Sequence, residues 1–135
     1  MQIRDVMTAD PTTVSPDTPM QQAAQLMRDG DFGAVAVCDG RKLQGVVTDR
    51  DIAVRGVADG RDHATPVSEL MSGDVHWLYD DQDASEAAQM MQREQVRRVF
   101  VVDRDKHLVG VVATADVAIE RPNEEVAETM EDISR

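Results

Sequence analysis

The sequence repeats itself at an interval of about 64 residues, and this repeat limits the folds that the chain can adopt. Short stretches match in the same order in both halves: Val6-Met7 with Leu70-Met71, residues 22–25 with 86–89, 35–39 with 99–103, and 45–47 with 110–112. The last pair is shifted by one residue, because the second copy has one extra residue in the turn before it. Self-similarity over such a length predicts one structural unit that has been duplicated.

Each copy has the same predicted order of elements, α-β-α-β-β-α. The main helix of each copy is marked by apolar residues at positions i, i+3, i+4 and i+7, which form one helical face. These residues are Met20, Ala23, Ala24 and Met27, then Ala84, Ala87, Ala88 and Met91. Two β-rich runs follow, at 34–38 and 43–48 and again at 99–102 and 108–112, with turns short enough for hairpins.

The repeat also predicts how the chain is divided. We expect one unit at 1–57, a linker at 58–66 inside the aperiodic stretch GVADGRDHATP, a second unit at 67–121, and an acidic C-terminal helix or tail at 122–135. A unit of about 60 residues buries too little surface to be stable alone, so the two are expected to pack together. The predicted fold class is therefore mixed α/β (α+β), with two pseudo-symmetric units packed face to face, each a small three-stranded sheet with flanking helices.

Acidic residues outnumber basic ones by 26 to 14, which gives a net charge of −12. Nucleic acids and anionic membranes are therefore disfavoured as partners, because phosphate-rich surfaces are bound through clustered Lys and Arg. No stretch has the pattern of a signal peptide or a membrane span, so we expect a cytoplasmic protein. The single cysteine, Cys38, has no partner for an internal disulfide, in agreement with a reducing compartment.

The beginning and end of each copy carry a resemblance to a known family. Each copy begins with a short turn, Val6-Met7-Thr8 or Leu70-Met71-Ser72. The ends are Gly45-Val46-Val47-Thr48-Asp49-Arg50-Asp51 and Gly110-Val111-Val112-Ala113-Thr114-Ala115-Asp116. In this order and in two copies, these motifs resemble the CBS-domain family, in the paired arrangement called a Bateman module. The resemblance extends from Ile3 to about Arg121.

The resemblance implies a regulatory module and not an enzyme. Proteins of this family bind adenosine-containing molecules such as AMP, ADP, ATP or related cofactors in clefts between the two copies, and they regulate an attached or partner protein. The adenine nucleotide would then be a regulatory ligand, with no obligatory cofactor. A homodimer is also implied, together with a protein partner whose identity the sequence does not reveal.

The family's motif, Gly-apolar-apolar-Ser/Thr-x-x-Asp, also implies which residues contact the nucleotide. By position in the motif, Thr48 contacts phosphate and Asp51 holds the ribose hydroxyls. Asp116 takes the ribose position in the second copy, but Ala113 stands where the hydroxyl residue is expected. The resemblance thus implies two unequal copies, of which the first has the more complete motif.

Four further residues complete the predicted nucleotide site: Arg50, Thr114, Thr13 and Trp77. Arg50 lies inside the first motif, and Thr114 is the neighbour that could replace the missing hydroxyl of Ala113. In the second extended segment, the apolar pattern points Leu78 into the core and Trp77 and Tyr79 to the other face. The first copy has Thr13 at the position of Trp77. An aromatic ring there could stack on adenine or fill a seam between copies or subunits.

Local structure offers a second explanation for Thr48 and Asp51. Their spacing is that of a capping box, in which each side chain accepts a hydrogen bond from the backbone N–H of the other residue. Ala113 has no hydroxyl with which to cap, so capping explains Asp116 less well, although the helix dipole also favours a carboxylate there. Capping and ligand binding are both open interpretations at this stage.

Catalytic and metal-binding patterns find little support in the sequence. The three histidines, His63, His76 and His107, are scattered and have no His or Cys partner at metal-ligand spacing. We find no P-loop, GxGxxG motif or nucleophile–base set, and we therefore expect no enzyme activity. A second class of function is a ligand-free assembly or adaptor protein whose clefts are filled by side chains, which Ala113 and Phe100 favour.

Overall fold

A computed structural model of the chain describes residues 1–73 and 75–120, and the helix or tail predicted at 122–135 lies outside them. The elements are, in chain order, a 3-10 turn (Ile3–Asp5), β1 (Thr8–Ala9), β2 (Thr13–Val14), α1 (Met20–Gly30), β3 (Ala34–Asp39), β4 (Lys42–Thr48), α2 (Asp49–Asp51) continued by a π-helix (Ile52–Val57), a 3-10 turn (Val67–Glu69), β5 (Trp77–Tyr79), α3 (Ala84–Glu94), β6 (Arg98–Val102), β7 (Leu108–Ala113) and α4 (Thr114–Glu120). Within the described ranges, no helix is long and apolar enough to cross a membrane.

The elements form two compact units. The continuous unit is Thr12–Val75, and the split unit combines Met1–Pro11 with the chain from His76 onward. The sheet of the continuous unit has the order β2-β3-β4, and that of the split unit has the order β1-β7-β6-β5. In each sheet one pair is parallel (β2 with β3, β5 with β6) and the long pair is the predicted antiparallel hairpin. This mixed α+β architecture confirms the predicted fold class.

Each unit has its own hydrophobic core between a helix and one face of a sheet. The predicted helical faces are the ones that are buried, with Met20, Ala23 and Met27 in α1 and Ala84, Ala87 and Met91 in α3. The valines of the strands complete the cores: Val14, Val35, Val37 and Val47 in the continuous unit, and Val99, Val101 and Val112 in the split unit. Burial of these apolar side chains supplies the main favourable term for each unit.

The first segment of each sequence copy packs in the unit that contains the rest of the other copy. Ile3 is fully buried in the core of the split unit. Val67 and Leu70, which begin the second copy, are fully buried in the core of the continuous unit. The compact units therefore exchange their first segments relative to the repeat. The boundaries predicted at residues 57, 66 and 121 divide the chain by its sequence repeat, and this division stays a prediction.

The stretch predicted as a linker is hydrogen-bonded to the start of α1. The N-cap of α1 is Pro19, whose side chain has no acceptor for the orphan N–H groups of the first turn. Thr65 O instead accepts from Met20 N at 2.8 Å, and His63 O accepts from Gln21 N at 3.1 Å. Residues 63–65 of this stretch thus cap α1 through their backbone oxygens. Such capping does not depend on the side chains, and it therefore leaves no periodic pattern in the sequence.

Two local features differ from the expected pattern. The split unit has a fourth strand, because Thr8 and Ala9 pair with Val111 and Gly110 of β7. The continuous unit has only a single bridge at the equivalent place, between Val46 and Ser72. The last helix predicted for the first copy is mostly π-helical in the structure, at Ile52–Val57, and a π-helix is wider than an α-helix.

Two glycines allow these crossing segments to approach the sheets. Val46 and Ser72 exchange two backbone hydrogen bonds of 2.9 Å each. A Cβ atom on Gly45 would lie 2.6 Å from the backbone oxygen of Ser72, and one on Gly110 would lie 2.9 Å from that of Thr8. Both positions therefore need a residue without a side chain.

Replacement of Gly45 by alanine is expected to destabilise the protein, because the new methyl group would push Ser72 away from Val46. We expect the free energy of unfolding to fall by about 1–3 kcal/mol in urea denaturation, the usual range for overpacking. Gly73→Ala is the matched control, since a Cβ there would meet no atom within 4 Å. Its effect is expected to stay within about 0.5 kcal/mol. Similar losses for the two variants would contradict this account of Gly45.

Candidate functional site

The junction between β4 and α2 is built by Thr48 and Asp51. Thr48 Oγ1 accepts a hydrogen bond from Asp51 N at 3.0 Å, and Asp51 Oδ2 accepts one from Thr48 N at 2.9 Å. These reciprocal bonds are the capping box that the spacing predicts, and both residues are half-buried. Asp51 Oδ1 makes no hydrogen bond with any residue that the structure describes. The cap thus holds the carboxylate in place and leaves one of its oxygens available.

Asp116 is held in a similar way at the start of α4. Its Oδ2 accepts a hydrogen bond from Ala113 N at 2.8 Å, which is the carboxylate half of the same box. The expectation that capping explains Asp116 less well than Asp51 is therefore wrong. This half of the box needs only a backbone N–H at position 113, which alanine supplies as well as threonine. Capping accounts for the position of both aspartates and does not separate the two copies.

Thr13 and Thr48 lie on one face of the three-stranded sheet. Thr13 pairs with Ala36 of β3, and Ala36 pairs with Val46 of β4, two residues before Thr48. Because side chains alternate along a strand, these four residues share a face. The alternate positions form the core on the opposite face. Thr13 is exposed, and so is Arg50, one residue before Asp51.

The corresponding face of the split unit is much bulkier. Trp77 pairs with Phe100, and Phe100 pairs with Val111, whereas the continuous unit has threonine, alanine and valine at these positions. Leu78 lies in the core, so Trp77 and Tyr79 occupy the other face, as the apolar pattern predicts. The two candidate surfaces therefore differ in side-chain volume as well as in the hydroxyl lost at Ala113.

The aromatic rings of β5 are engaged with cations of the β6–β7 turn. The rings of Trp77 and Tyr79 form an edge-to-face pair with their centroids 5.1 Å apart. Arg104 lies 4.0 Å from the centroid of Tyr79, and Lys106 lies 5.6 Å from that of Trp77. Arg104 also forms a bidentate ion pair with Asp81, at 2.8 and 2.9 Å, which holds the pKa of that carboxyl below its usual value. These contacts were not predicted from the sequence, although Trp77 and Tyr79 are two residues apart and so are Arg104 and Lys106.

Besides Asp116, two further polar residues close to Ala113 are Thr114 and Arg98. Thr114 is the first residue of α4 and is half-buried. Arg98, at the start of β6, pairs directly with Ala113 and is exposed. Arg98 could not be identified from the sequence, because its place beside position 113 depends on the register of β6 and β7. The substitution of Thr114 for the missing hydroxyl stays a prediction.

Cys38 is buried near the end of β3. Burial raises the pKa of its thiol above the usual value. The thiol is therefore kept protonated, and it is a poor nucleophile in this environment.

A groove of about 700 Å³ lies between α1 and the helical segment that follows β4. Most of the lining residues are apolar or small: Ala24, Met27, Phe32, Gly33, Ile52, Ala53 and Val57. The three charged residues of the lining are Arg28, Asp31 and Asp49. Val57 is 67% exposed, and Val54 of the same helical segment is 47% exposed. This helical surface is therefore an apolar patch of the continuous unit.

A family comparison accounts for the repeat and the geometry together. The model of the CBS domain matches the chain twice, at residues 3–56 and 67–123. The chain belongs to the CBS-domain family. Because both copies match, it is a tandem CBS module.

Individual CBS proteins resemble the chain over most of its length. The CBS domain-containing protein YhcV of Bacillus subtilis is 42% identical over 125 residues, which cover 93% of this chain and 89% of that protein. Hypoxic response protein 1 of Mycobacterium tuberculosis is 36% identical over 127 residues, 93% of this chain and 88% of that protein.

Solved structures of CBS proteins also match the fold. A crystal structure of hypoxic response protein I with two coordinated zinc ions gives a TM-score of 0.79 at 36% identity, covering 89% of this chain and 98% of that one. The crystal structure of CBSX2 in complex with AMP gives a TM-score of 0.74 at 23% identity, covering 99% and 98%. These likenesses agree with the two-unit α+β fold.

Substitution of Ala113 by threonine is expected to stabilise the protein, because the new hydroxyl can complete the cap of α4 as Thr48 does at α2. The expected gain in the free energy of unfolding is about 1 kcal/mol, the typical worth of an N-cap side chain. Ala113→Val is the matched control, since valine has the same shape without the hydroxyl. An equal change in the two variants in chemical denaturation would show that the gain does not come from the cap.

Proposed function

We propose that this CBS module is a regulatory sensor that binds an adenine nucleotide, and that the continuous unit provides its principal contacts. The observation that carries the proposal is the fixed carboxylate of Asp51, which the cap with Thr48 holds at the start of α2. CBSX2, which has the same fold, has been crystallised in complex with AMP. An adenosine-containing molecule is therefore the ligand class that we assign to this module.

The chemistry of the site fits the ribose and phosphate of such a ligand. Asp51 Oδ1 can accept hydrogen bonds from the ribose hydroxyls, because only Oδ2 is used by the cap. Thr48 Oγ1 accepts a bond from Asp51 N, and its own O–H is still able to donate to a phosphate oxygen. Arg50 is exposed next to them and supplies positive charge in a chain of net charge −12. Thr13, on the same sheet face as Thr48, adds a further hydroxyl.

The split unit would hold a nucleotide less well. It keeps the carboxylate of Asp116 but lacks a hydroxyl at Ala113. Its sheet face carries the bulky rings of Trp77 and Phe100, where the continuous unit has the small side chains of Thr13 and Ala36. Arg98 beside Ala113 offers a cation for phosphate in place of the hydroxyl. We therefore expect two unequal affinities, with the stronger site at Thr48 and Asp51.

Regulation requires that the nucleotide bind two states of the module with different affinity, because equal affinities shift no equilibrium. No nucleophile or acid–base set was found in the sequence, so we propose that the output is a change in contacts with a partner protein or within a homodimer. The cytoplasm, where adenine nucleotides are abundant, is the compartment that fits this proposal.

A second candidate function is assembly without a ligand. The exposed side chains of Val54 and Val57 and the neighbouring apolar groove favour it, since such patches mark interaction sites. In that case the caps at Asp51 and Asp116 would be purely structural. The two candidates differ in the outcome of a nucleotide titration.

Isothermal titration of the whole protein with AMP, ADP, ATP, NAD and S-adenosylmethionine tests the proposal. We expect at least one of these to bind, and Asp51→Asn to weaken its affinity by about ten-fold or more, the size expected when a hydrogen bond to a charged group is lost. The asparagine keeps one oxygen for the N–H of Thr48, so the cap and the thermal stability should change little.

The control for this titration is Asp49→Asn, which removes the same charge two residues away. Asp49 is exposed, and its Oδ1 accepts only the neighbouring N–H of Arg50. Nucleotide affinity should therefore stay close to that of the unmodified protein. Absence of heat with every ligand, for folded protein, would refute the nucleotide proposal and leave assembly as the function.

A further inference from the structure

The β6–β7 hairpin differs from its counterpart in the other copy in both length and chemistry. The β3–β4 turn has Gly40 in the left-handed region, at φ 63°, followed by the basic residues Arg41 and Lys42. The β6–β7 turn has one more residue, and Lys106 takes the left-handed position at φ 64°. A non-glycine residue in that region is uncommon. His107 follows it, where the other turn has a second basic residue.

This longer turn gathers two carboxylates and an imidazole. Asp103 Oδ1 accepts hydrogen bonds from the backbone N–H groups of Asp105 and His107, both at 2.9 Å. The other oxygen, Asp103 Oδ2, lies 3.7 Å from His107 Nδ1. One side-chain atom from each of the three residues lies within 4.8 Å of the other two. The backbone of the turn therefore fixes the carboxylate of Asp103, and the turn brings three potential metal ligands close together.

The spacing suits a metal ion better than a direct hydrogen bond. A distance of 3.7 Å between Asp103 Oδ2 and His107 Nδ1 exceeds the 2.7–3.2 Å of an ordinary N–H···O bond. Ligands of a tetrahedral zinc ion lie at about 2.0–2.1 Å from the metal, which places them about 3.4 Å from one another. A shift of a few tenths of an ångström would bring these two atoms to that separation, and the exposed side chain of Asp105, which lies within 4.8 Å of both, would have to turn towards them.

The charges around the turn also favour a cation. The side chains of Asp103 and Asp105 bring two negative charges close together, and a cation bound by both carboxylates would offset their repulsion. The two basic residues of the turn have other partners, since Arg104 binds Asp81 and Lys106 lies over the ring of Trp77. The three potential ligands, at positions 103, 105 and 107, therefore alternate along the chain with the two basic residues, at positions 104 and 106.

We propose that Asp103, Asp105 and His107 form a zinc site at the β6–β7 turn. Each aspartate contributes one carboxylate oxygen and His107 contributes Nδ1, and water completes the tetrahedron. Mixed nitrogen and oxygen ligands are typical of zinc, whereas magnesium and calcium take oxygen ligands. The two carboxylates balance the charge of the ion. The site ties the two ends of the turn together and uses none of the residues of the proposed nucleotide contacts.

Calorimetric titration of the chelator-treated full chain with zinc chloride tests the proposal. One zinc ion per chain is expected to bind, and Asp105→Asn and His107→Ala should each weaken that binding by about ten-fold or more through loss of a ligand. Asp105 is exposed and His107 is half-buried, and the Asp103 cap of the turn uses the backbone N–H groups of both residues, so neither side-chain change should unfold the protein. Thermal melting without zinc checks this.

Matched controls come from elsewhere in the chain. Asp39→Asn changes the aspartate that begins the equivalent turn of the other copy, and His63→Ala removes an exposed histidine of the continuous unit. Both variants should bind zinc like the unmodified protein. The fluorescence of Trp77, the single tryptophan, should respond to zinc in the unmodified protein and in both controls, and should not respond in Asp105→Asn or His107→Ala. The reason is that Lys106, which lies over the ring of Trp77, stands between the proposed ligands Asp105 and His107 in the chain.

Three results would overturn the proposal. The first is no zinc binding by the full chain, and the second is unchanged affinity in both Asp105→Asn and His107→Ala. The third is equal binding of magnesium with no effect of His107→Ala, which would indicate acidic surface residues alone. Loss of affinity in the two site variants, with both controls unchanged, supports the site.

Discussion

The close approach of two backbone segments at Gly45, and again at Gly110, is the constraint on which the rest of the structure depends. At each place the segment that begins one sequence copy runs beside the last strand of the other copy's sheet. The distance leaves no room for a side chain on the strand. Because these segments also bring Ile3 and Leu70 into the two cores, neither copy can complete its hydrophobic core without the other.

The candidate site follows from this constraint within a few residues. Val46 is the residue that Ser72 binds, and Thr48 lies two residues further along the same strand. The strand therefore ends in a fixed position, and the capping box turns the chain from the strand into a helix there. Asp51 is placed by backbone geometry and by its cap with Thr48. A carboxylate that is positioned in advance loses little conformational entropy on binding, which favours affinity.

The helices, the hairpins and the capping box could be predicted because each leaves a local pattern. Alanine and methionine at helical spacing marked α1 and α3, and the spacing of Thr48 and Asp51 marked the cap. The exchange of first segments could not be predicted, because it depends on contacts between distant parts of the chain, such as Ser72 with Val46 and Thr8 with Val111, for which periodicity has no signal. The cap of Asp116 was missed for a different reason. Sequence reasoning looked for a hydroxyl at Ala113, whereas the bond that forms uses the backbone N–H.

A titration of the isotope-labelled protein with AMP, followed by amide chemical shifts, tests the central claim most directly. The account predicts that the largest shifts fall on Thr13, Thr48 and Asp51, that those on Ala113 and Asp116 are smaller, and that they saturate at a higher AMP concentration. Shifts that are equal in the two copies, or that are absent from Thr48 and Asp51 while other residues respond, would contradict it.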